Sequence, residues 1–82
     1  MRARVFVTLK PSVFDPQGRT IADALHSLGY DSVADVRQGK YFELTLDGQM
    51  EEPEAQREVE RIAREVLTNP VIEEFRYALE KS

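Results

Sequence analysis

Hydrophobic residues near the N-terminus fall at every second position. Val5, Val7 and Leu9 alternate with Arg4, Phe6, Thr8 and Lys10, the period of a strand with one buried face, and Pro11 ends it because proline has no N–H for a ladder. Further on the period lengthens. Ile21, Leu25 and Leu28, joined by Ala22 and Ala24, recur at helical spacing, and Gly29 stands where a C′ glycine closes a helix, so the pattern predicts a helix from about Pro16 to Leu28. Val33, Ala34 and Val36 mark a weaker strand over 33–38. Gln38-Gly39 then reads as a hairpin turn into a third strand, Lys40 to Leu46, with Phe42, Leu44 and Leu46 on one side and Tyr41, Glu43 and Thr45 on the other. Met50-Glu51-Glu52-Pro53 opens a second helix with apolar positions Ala55, Val59, Ile62 and Val66. Thr68-Asn69-Pro70 breaks it, since the residue before a proline is pushed out of the α region. A last strand follows from Val71 to Leu79, in which Phe75, Tyr77 and Leu79 alternate with Glu74, Arg76 and Ala78.

The predicted order is β-α-β-β-α-β in a single domain spanning 1–82. This is the α+β, ferredoxin-like two-layer sandwich: a mostly antiparallel four-stranded sheet with two helices on one face. The opposite face is left bare, and Phe6, Thr8, Tyr41 and Thr45 are placed on it as candidates for contact with another copy. At 82 residues the core is thin, because a chain of this size buries only somewhat more than about 60% of its unfolded surface. With no cysteine and one histidine, neither disulfides nor a zinc cluster are expected to supplement it, which leaves oligomerisation.

The passage from the first strand into the first helix carries the densest local signal. Asp15 is suited to the N-cap, its carboxylate accepting from the free N–H groups that follow, and Pro16 sits at N1 where its missing N–H costs nothing. Gly18 is less expected. Glycine in a first turn lowers helix propensity by about 1 kcal/mol relative to alanine, so the position either tolerates the loss or admits a close neighbour.

Charge and chemistry narrow the function by exclusion. Eleven Lys and Arg against fifteen Asp and Glu give a net charge of −4, which opposes phosphate-backbone binding, so nucleic acid is not expected as a partner even though Phe6 and Tyr41 sit where RNA-recognition modules of this topology stack bases. The apolar run at Met1–Val7 is too short for a signal peptide and no transmembrane span is read, which predicts a cytoplasmic, membrane-free protein. No catalytic residue and no metal ligand set emerges. His26 falls off the Ile21/Leu25/Leu28 stripe, the carboxylates of the second helix form a wet face, and the four glycines are too isolated for a phosphate cradle. On residues alone, a small-molecule-sensing dimer of the amino-acid-binding ACT type is the alternative, supported by fold analogy.

Four phrases in order resemble one known family. Val7-Thr8-Leu9-Lys10 with Asp15-Pro16-Gln17-Gly18, then Ala24 to Tyr30, then Val36-Arg37-Gln38-Gly39-Lys40, then Asn69-Pro70-Val71-Ile72-Glu73 are together similar to the PurS family over nearly the whole chain. The resemblance implies a small, non-catalytic subunit of phosphoribosylformylglycinamidine synthase in purine biosynthesis. It implies a homodimer, with a dimer of dimers left open, that bridges a PurQ-type glutaminase and a PurL-type synthetase and supports ammonia transfer between them. ATP, magnesium and glutamine would serve the complex and no cofactor would be held by this chain. Asp15, Gln17, Gly18 and Arg19 at the corner, Arg37, Gly39 and Lys40 at the hairpin, and Asn69 and Pro70 before the last strand match family motifs on loops, and become the candidate partner contacts.

Overall fold

The computed structural model describes residues 1–81; Ser82, the last residue of the expected domain, lies outside them. Its backbone is built on strand β1 (Arg2–Leu9), where Ala3, Val5 and Val7 point to one side and are buried while Arg4, Phe6 and Thr8 point to the other. Strand β2 (Gly39–Thr45) and strand β3 (Glu73–Glu80) flank it antiparallel, giving the order β2-β1-β3. Register follows the period-2 pattern. Val5 is opposite Phe42 on one side and Tyr77 on the other, and Val7 is opposite Phe75, so the apolar side chains of all three strands share a face.

Helix α2 (Glu52–Ile62) lies on that face, and it continues into one π-helical turn, Ala63–Leu67. Val59 and Ala63 complete the fully buried centre with Ala3, Val5 and Val7. The helix packs towards β3. Phe42 and Leu44 on β2, and Leu46 just past it, touch the core but remain only half-buried.

Helix α1 (Pro16–Ser27) starts and stops as its capping signals require. The Asp15 carboxylate accepts from the Gly18 N–H at 2.9 Å, Pro16 occupies N1, and Gly29 turns the chain at φ +95°. The helix does not, however, fold back onto the sheet. It makes no extensive contact with any strand or with α2. The molecule is 50 × 28 × 14 Å with a radius of gyration of 16.1 Å, against about 12 Å for a compact chain of this length. An 8-residue strand of about 27 Å and a 12-residue helix of about 18 Å, laid end to end, nearly account for the long axis.

Two expectations are corrected here. Among the described residues the sheet has three strands, not four, and only α2 covers it, so the four-stranded ferredoxin-like plan does not hold for this chain. Residues 33–38 are irregular because other groups take their backbone hydrogen bonds. The Gln38 N–H goes to Asp15 Oδ2 at 2.7 Å, and His26 Nε2 lies 2.7 Å from the Val33 carbonyl. Asp35 within the segment, and Asp31 just before it, are also poor strand formers. The segment runs back along α1 instead, where the buried Ala22 and Gly18 mark the helix's inner side.

Candidate functional site

Three loops meet where β1 ends and β2 and β3 begin. The corner residue Asp15 joins two of them: Oδ1 caps α1 at Gly18 and Oδ2 receives the Gln38 N–H. Those two N–H bonds, from Gly18 first and then Gln38, hold the carboxyl below its ordinary value of 3.8; burial opposes them and the nearby Arg37 charge assists. Asp15 is therefore a carboxylate fixed by backbone donors. Beside it the Gln38 side-chain amide donates to Gln17 Oε1 at 2.8 Å, tying the first turn of α1 to the start of β2.

The third loop joins through a charge pair. Lys40 on β2 lies 3.4 Å from Glu73 at the start of β3, and Glu73 Oε1 also accepts the Asn69 N–H at 2.7 Å. Asn69 in turn organises the chain entering the strand, its side-chain oxygen accepting from Val71 and its carbonyl from Ile72 and Glu73. Between these groups lies a crevice of about 250 Å³, with Val7 and Leu9 as its floor and Gln17, Gln38, Lys40 and Glu73 around it. That is below the roughly 300–1,000 Å³ of ordinary small-molecule pockets. A larger cavity, of about 670 Å³ and lined by Met50, Glu52 and Lys81, collects none of the motif residues.

Five of the nine candidate partner contacts come together at the crevice, in unequal roles. Asp15, Gln17, Gly39 and Lys40 line it, and Asn69 positions its Glu73. Gly18 has a structural reason to be glycine: a Cβ there would run into the Val36 carbonyl oxygen and come within 2.6 Å of Asp15 Oδ2. The close approach is made by this chain's own return segment. Gly39 is similarly constrained, with the Val7 carbonyl 2.5 Å from where a Cβ would stand. Arg37 braces the corner, its guanidinium donating to the carbonyls of Lys10 at 3.0 Å and Val13 at 2.9 Å. Arg19 stands apart, paired with Asp23 at 3.3 Å on the outer side of α1, and Pro70 lines a separate hollow beside Arg64 and Phe75.

Gln38 and Glu73 complete the crevice although neither was selected from the sequence. Both stand inside motif phrases, Arg37-Gln38-Gly39 and Val71-Ile72-Glu73, which is the signal that could have found them. On the far side of the sheet, Phe6 and Tyr41 are in ring contact at 5.1 Å and Arg76 covers Phe6 at 4.6 Å. Arg4 pairs with Glu80 at 2.9 Å, and desolvation together with a 3.0 Å bond to Glu43 raises the Tyr41 hydroxyl above the usual phenol value. Thr8 is half-buried on this face and Thr45 is exposed at the end of β2. Among the described residues no helix is long and apolar enough to cross a membrane.

The chain is thus a small α+β domain that gathers three loops around a narrow crevice of mixed polar and apolar lining. Comparison with known proteins gives that class a family. The model of the PurS family, phosphoribosylformylglycinamidine (FGAM) synthase, matches residues 2–81, and the chain belongs to it. The chain is 42% identical over 80 residues to the phosphoribosylformylglycinamidine synthase subunit PurS of Bacillus subtilis, covering 98% of this chain and 93% of that one. It also superimposes on the crystal structure of Methanocaldococcus jannaschii PurS, one of the subunits of formylglycinamide ribonucleotide amidotransferase, with a TM-score of 0.87 at 34% identity over 99% of this chain and 96% of that one. A chain in the structure of PurLQS from Thermotoga maritima matches with a TM-score of 0.78 at 28% identity, over 94% and 93%.

Proposed function

We propose that this chain is the small subunit of a phosphoribosylformylglycinamidine synthase of purine biosynthesis, acting as a single-domain, cytoplasmic bridge between a PurL-type synthetase and a PurQ-type glutaminase. The observation that carries the reading is a family match over residues 2–81 whose motif loops converge on one crevice. In this division of labour the glutaminase releases ammonia from glutamine. The synthetase uses ATP and magnesium to activate the formyl amide oxygen of formylglycinamide ribonucleotide, and ammonia displaces the phosphate. This chain holds no cofactor and supplies no catalytic group; it supports assembly and ammonia transfer, and it pairs with a second copy of itself.

The crevice is the contact assigned to the larger subunits. Lys40 is 62% exposed at its side chain, and Gln17 and Gln38 present amide groups around it. The decisive experiment is glutamine-dependent activity of mixed synthetase and glutaminase subunits with and without this chain. Activity and co-elution that require the chain are expected. Full glutamine-dependent activity without it would overturn the reading, and a saturable thermal shift with a free amino acid would favour a sensor instead.

A further inference from the structure

Two side-chain amides at the crevice are joined to each other and keep hydrogen-bonding groups to spare. The Gln38 amide N–H donates to Gln17 Oε1 at 2.8 Å, which leaves the Gln17 Nε2 donors and the Gln38 Oε1 acceptor with no partner among the described residues. Both side chains line the crevice and both residues are exposed, so neither amide is enclosed by the fold. Their positions are fixed nonetheless. Gln17 stands in the first turn of α1, and the backbone N–H of Gln38 is held by Asp15 Oδ2 at 2.7 Å.

The charged groups around them are already balanced. Asp15 accepts from the Gly18 and Gln38 N–H groups with the Arg37 charge close by, and Glu73 accepts from the Asn69 N–H with Lys40 at 3.4 Å. An added carboxylate would stand near Asp15 and Glu73, and an added cation near Arg37 and Lys40, so an ion of either sign meets a like charge. What remains unused is the Gln17 donor, the Gln38 acceptor and the Lys40 N–H groups that Glu73 does not take.

A donor and an acceptor on a hydrogen-bonded amide pair form the pattern that one strand residue offers to the next. In an antiparallel ladder two opposed residues exchange both N–H···O=C bonds, so an extended residue presents its N–H and its C=O together on one edge. We infer that the crevice takes the main chain of an extended segment of a larger subunit, its carbonyl accepting from Gln17 Nε2 and its N–H donating to Gln38 Oε1, with Lys40 Nζ donating to a further carbonyl. The apolar floor of Val7 and Leu9 strengthens these bonds by lowering the local dielectric, and the pre-joined amides reduce the ordering that binding costs. The inference rests on the assembly reading above and specifies the group that the crevice recognises.

The test measures the Kd of this chain for the mixed synthetase and glutaminase subunits at low and at high salt. Gln17→Met keeps the length of the side chain and removes its donor. It is expected to raise Kd about tenfold, as for one lost hydrogen bond, and by the same factor at both salt concentrations, because no charge is removed. Gln38→Met removes the acceptor and should act alike, which keeps the test open if either variant alters the corner; thermal unfolding of the free chain checks that both fold. Gln17→Glu retains the oxygen that accepts from Gln38 but sets a negative charge against the incoming carbonyl, and should raise Kd further than Gln17→Met. An unchanged Kd in folded Gln17→Met and Gln38→Met, a tighter complex with Gln17→Glu as for a basic side chain, or a loss in Gln17→Met that fades at high salt as for a carboxylate overturns main-chain recognition and leaves assembly intact. An unaltered chain that does not bind the larger subunits overturns both.

Discussion

Substituting Gly18 by alanine pits two effects of opposite sign against each other. Within a helix, alanine is favoured over glycine by about 1 kcal/mol, so on propensity alone the variant would be more stable. Gly18 is not free to gain that advantage. The new Cβ would meet the Val36 carbonyl oxygen, and it would stand 2.6 Å from Asp15 Oδ2 and 3.0 Å from its Cγ. The first obstacle is backbone, so relief requires the return segment to withdraw from α1. That movement stretches the 2.7 Å bond from the Gln38 N–H to Asp15, which also connects α1 to β2. Overpacking of this kind costs about 1–3 kcal/mol, which exceeds the propensity gain and leaves a net loss of about 1 kcal/mol. For a domain of this size that lowers Tm by about 4–8 °C. The control is Gly48→Ala, where nothing stands within 4 Å of the added atom and φ is not positive; it is expected to stabilise by about 0.4–1 kcal/mol through the unfolded chain. Urea unfolding of both variants reads the signs directly. If Gly18→Ala also stabilises, the return segment does not press on α1 and the account of the corner is wrong.

Three further outcomes follow from the same contacts. Asp15 has its carboxyl lowered from 3.8 in the folded state, so its contribution is present in full above that value and is lost as pH falls through the lower folded value; Asp15→Asn should be less stable at neutral pH and flatter in urea midpoint below pH 3.8 than the unaltered chain, and identical slopes would count against the cap. Val59→Ala removes two methyl groups from a fully buried site and should cost about 2 kcal/mol in urea unfolding, with a cost under about 0.5 kcal/mol placing α2 off the sheet. Arg37→Ala, which loses both carbonyl bonds at the corner, should destabilise by about 1 kcal/mol, whereas Lys40→Ala, which removes a 62% exposed lysine from a Glu73 that keeps its bond from the Asn69 N–H, should cost less than that yet weaken co-elution with the larger subunits. The reverse order would exchange the structural and contact roles of the two residues.

The elements with strong local determinants were legible in the sequence. The Asp15 cap and Gly29 bracketed α1 to within a residue, and strict alternation placed β1 and the face shared by Phe42, Phe75 and Tyr77. The crevice was half legible. Its residues lie in motif phrases, but which side chains face inward depends on β1 separating Lys40 from Glu73, a register no single segment encodes. The structural role of Arg37 was not legible for a related reason. Its positive charge and loop position resemble those of a partner contact, and its two acceptors, Lys10 and Val13, are carbonyls 27 and 24 residues away that carry no side-chain signature.

The missing strand and the unpacked helix have one cause. A second helix over the β2 flank and a fourth strand beside the sheet both require the chain after Leu28 to return across the sheet, as the apolar periods of 21–28 and 33–36 invite. Asp15 prevents it by taking the Gln38 N–H with the carboxylate oxygen left over from the cap, which joins the return segment to α1 and aims both beyond the sheet. The periods themselves remain correct: Ile21, Leu25 and Leu28 do form an apolar face, and Phe42 and Leu44 do pack against the core. Periodicity states that a face will be covered and is silent on which molecule covers it. In a chain with this little interior, a carboxylate that fixes one loop leaves exposed a face that would otherwise be an intramolecular layer.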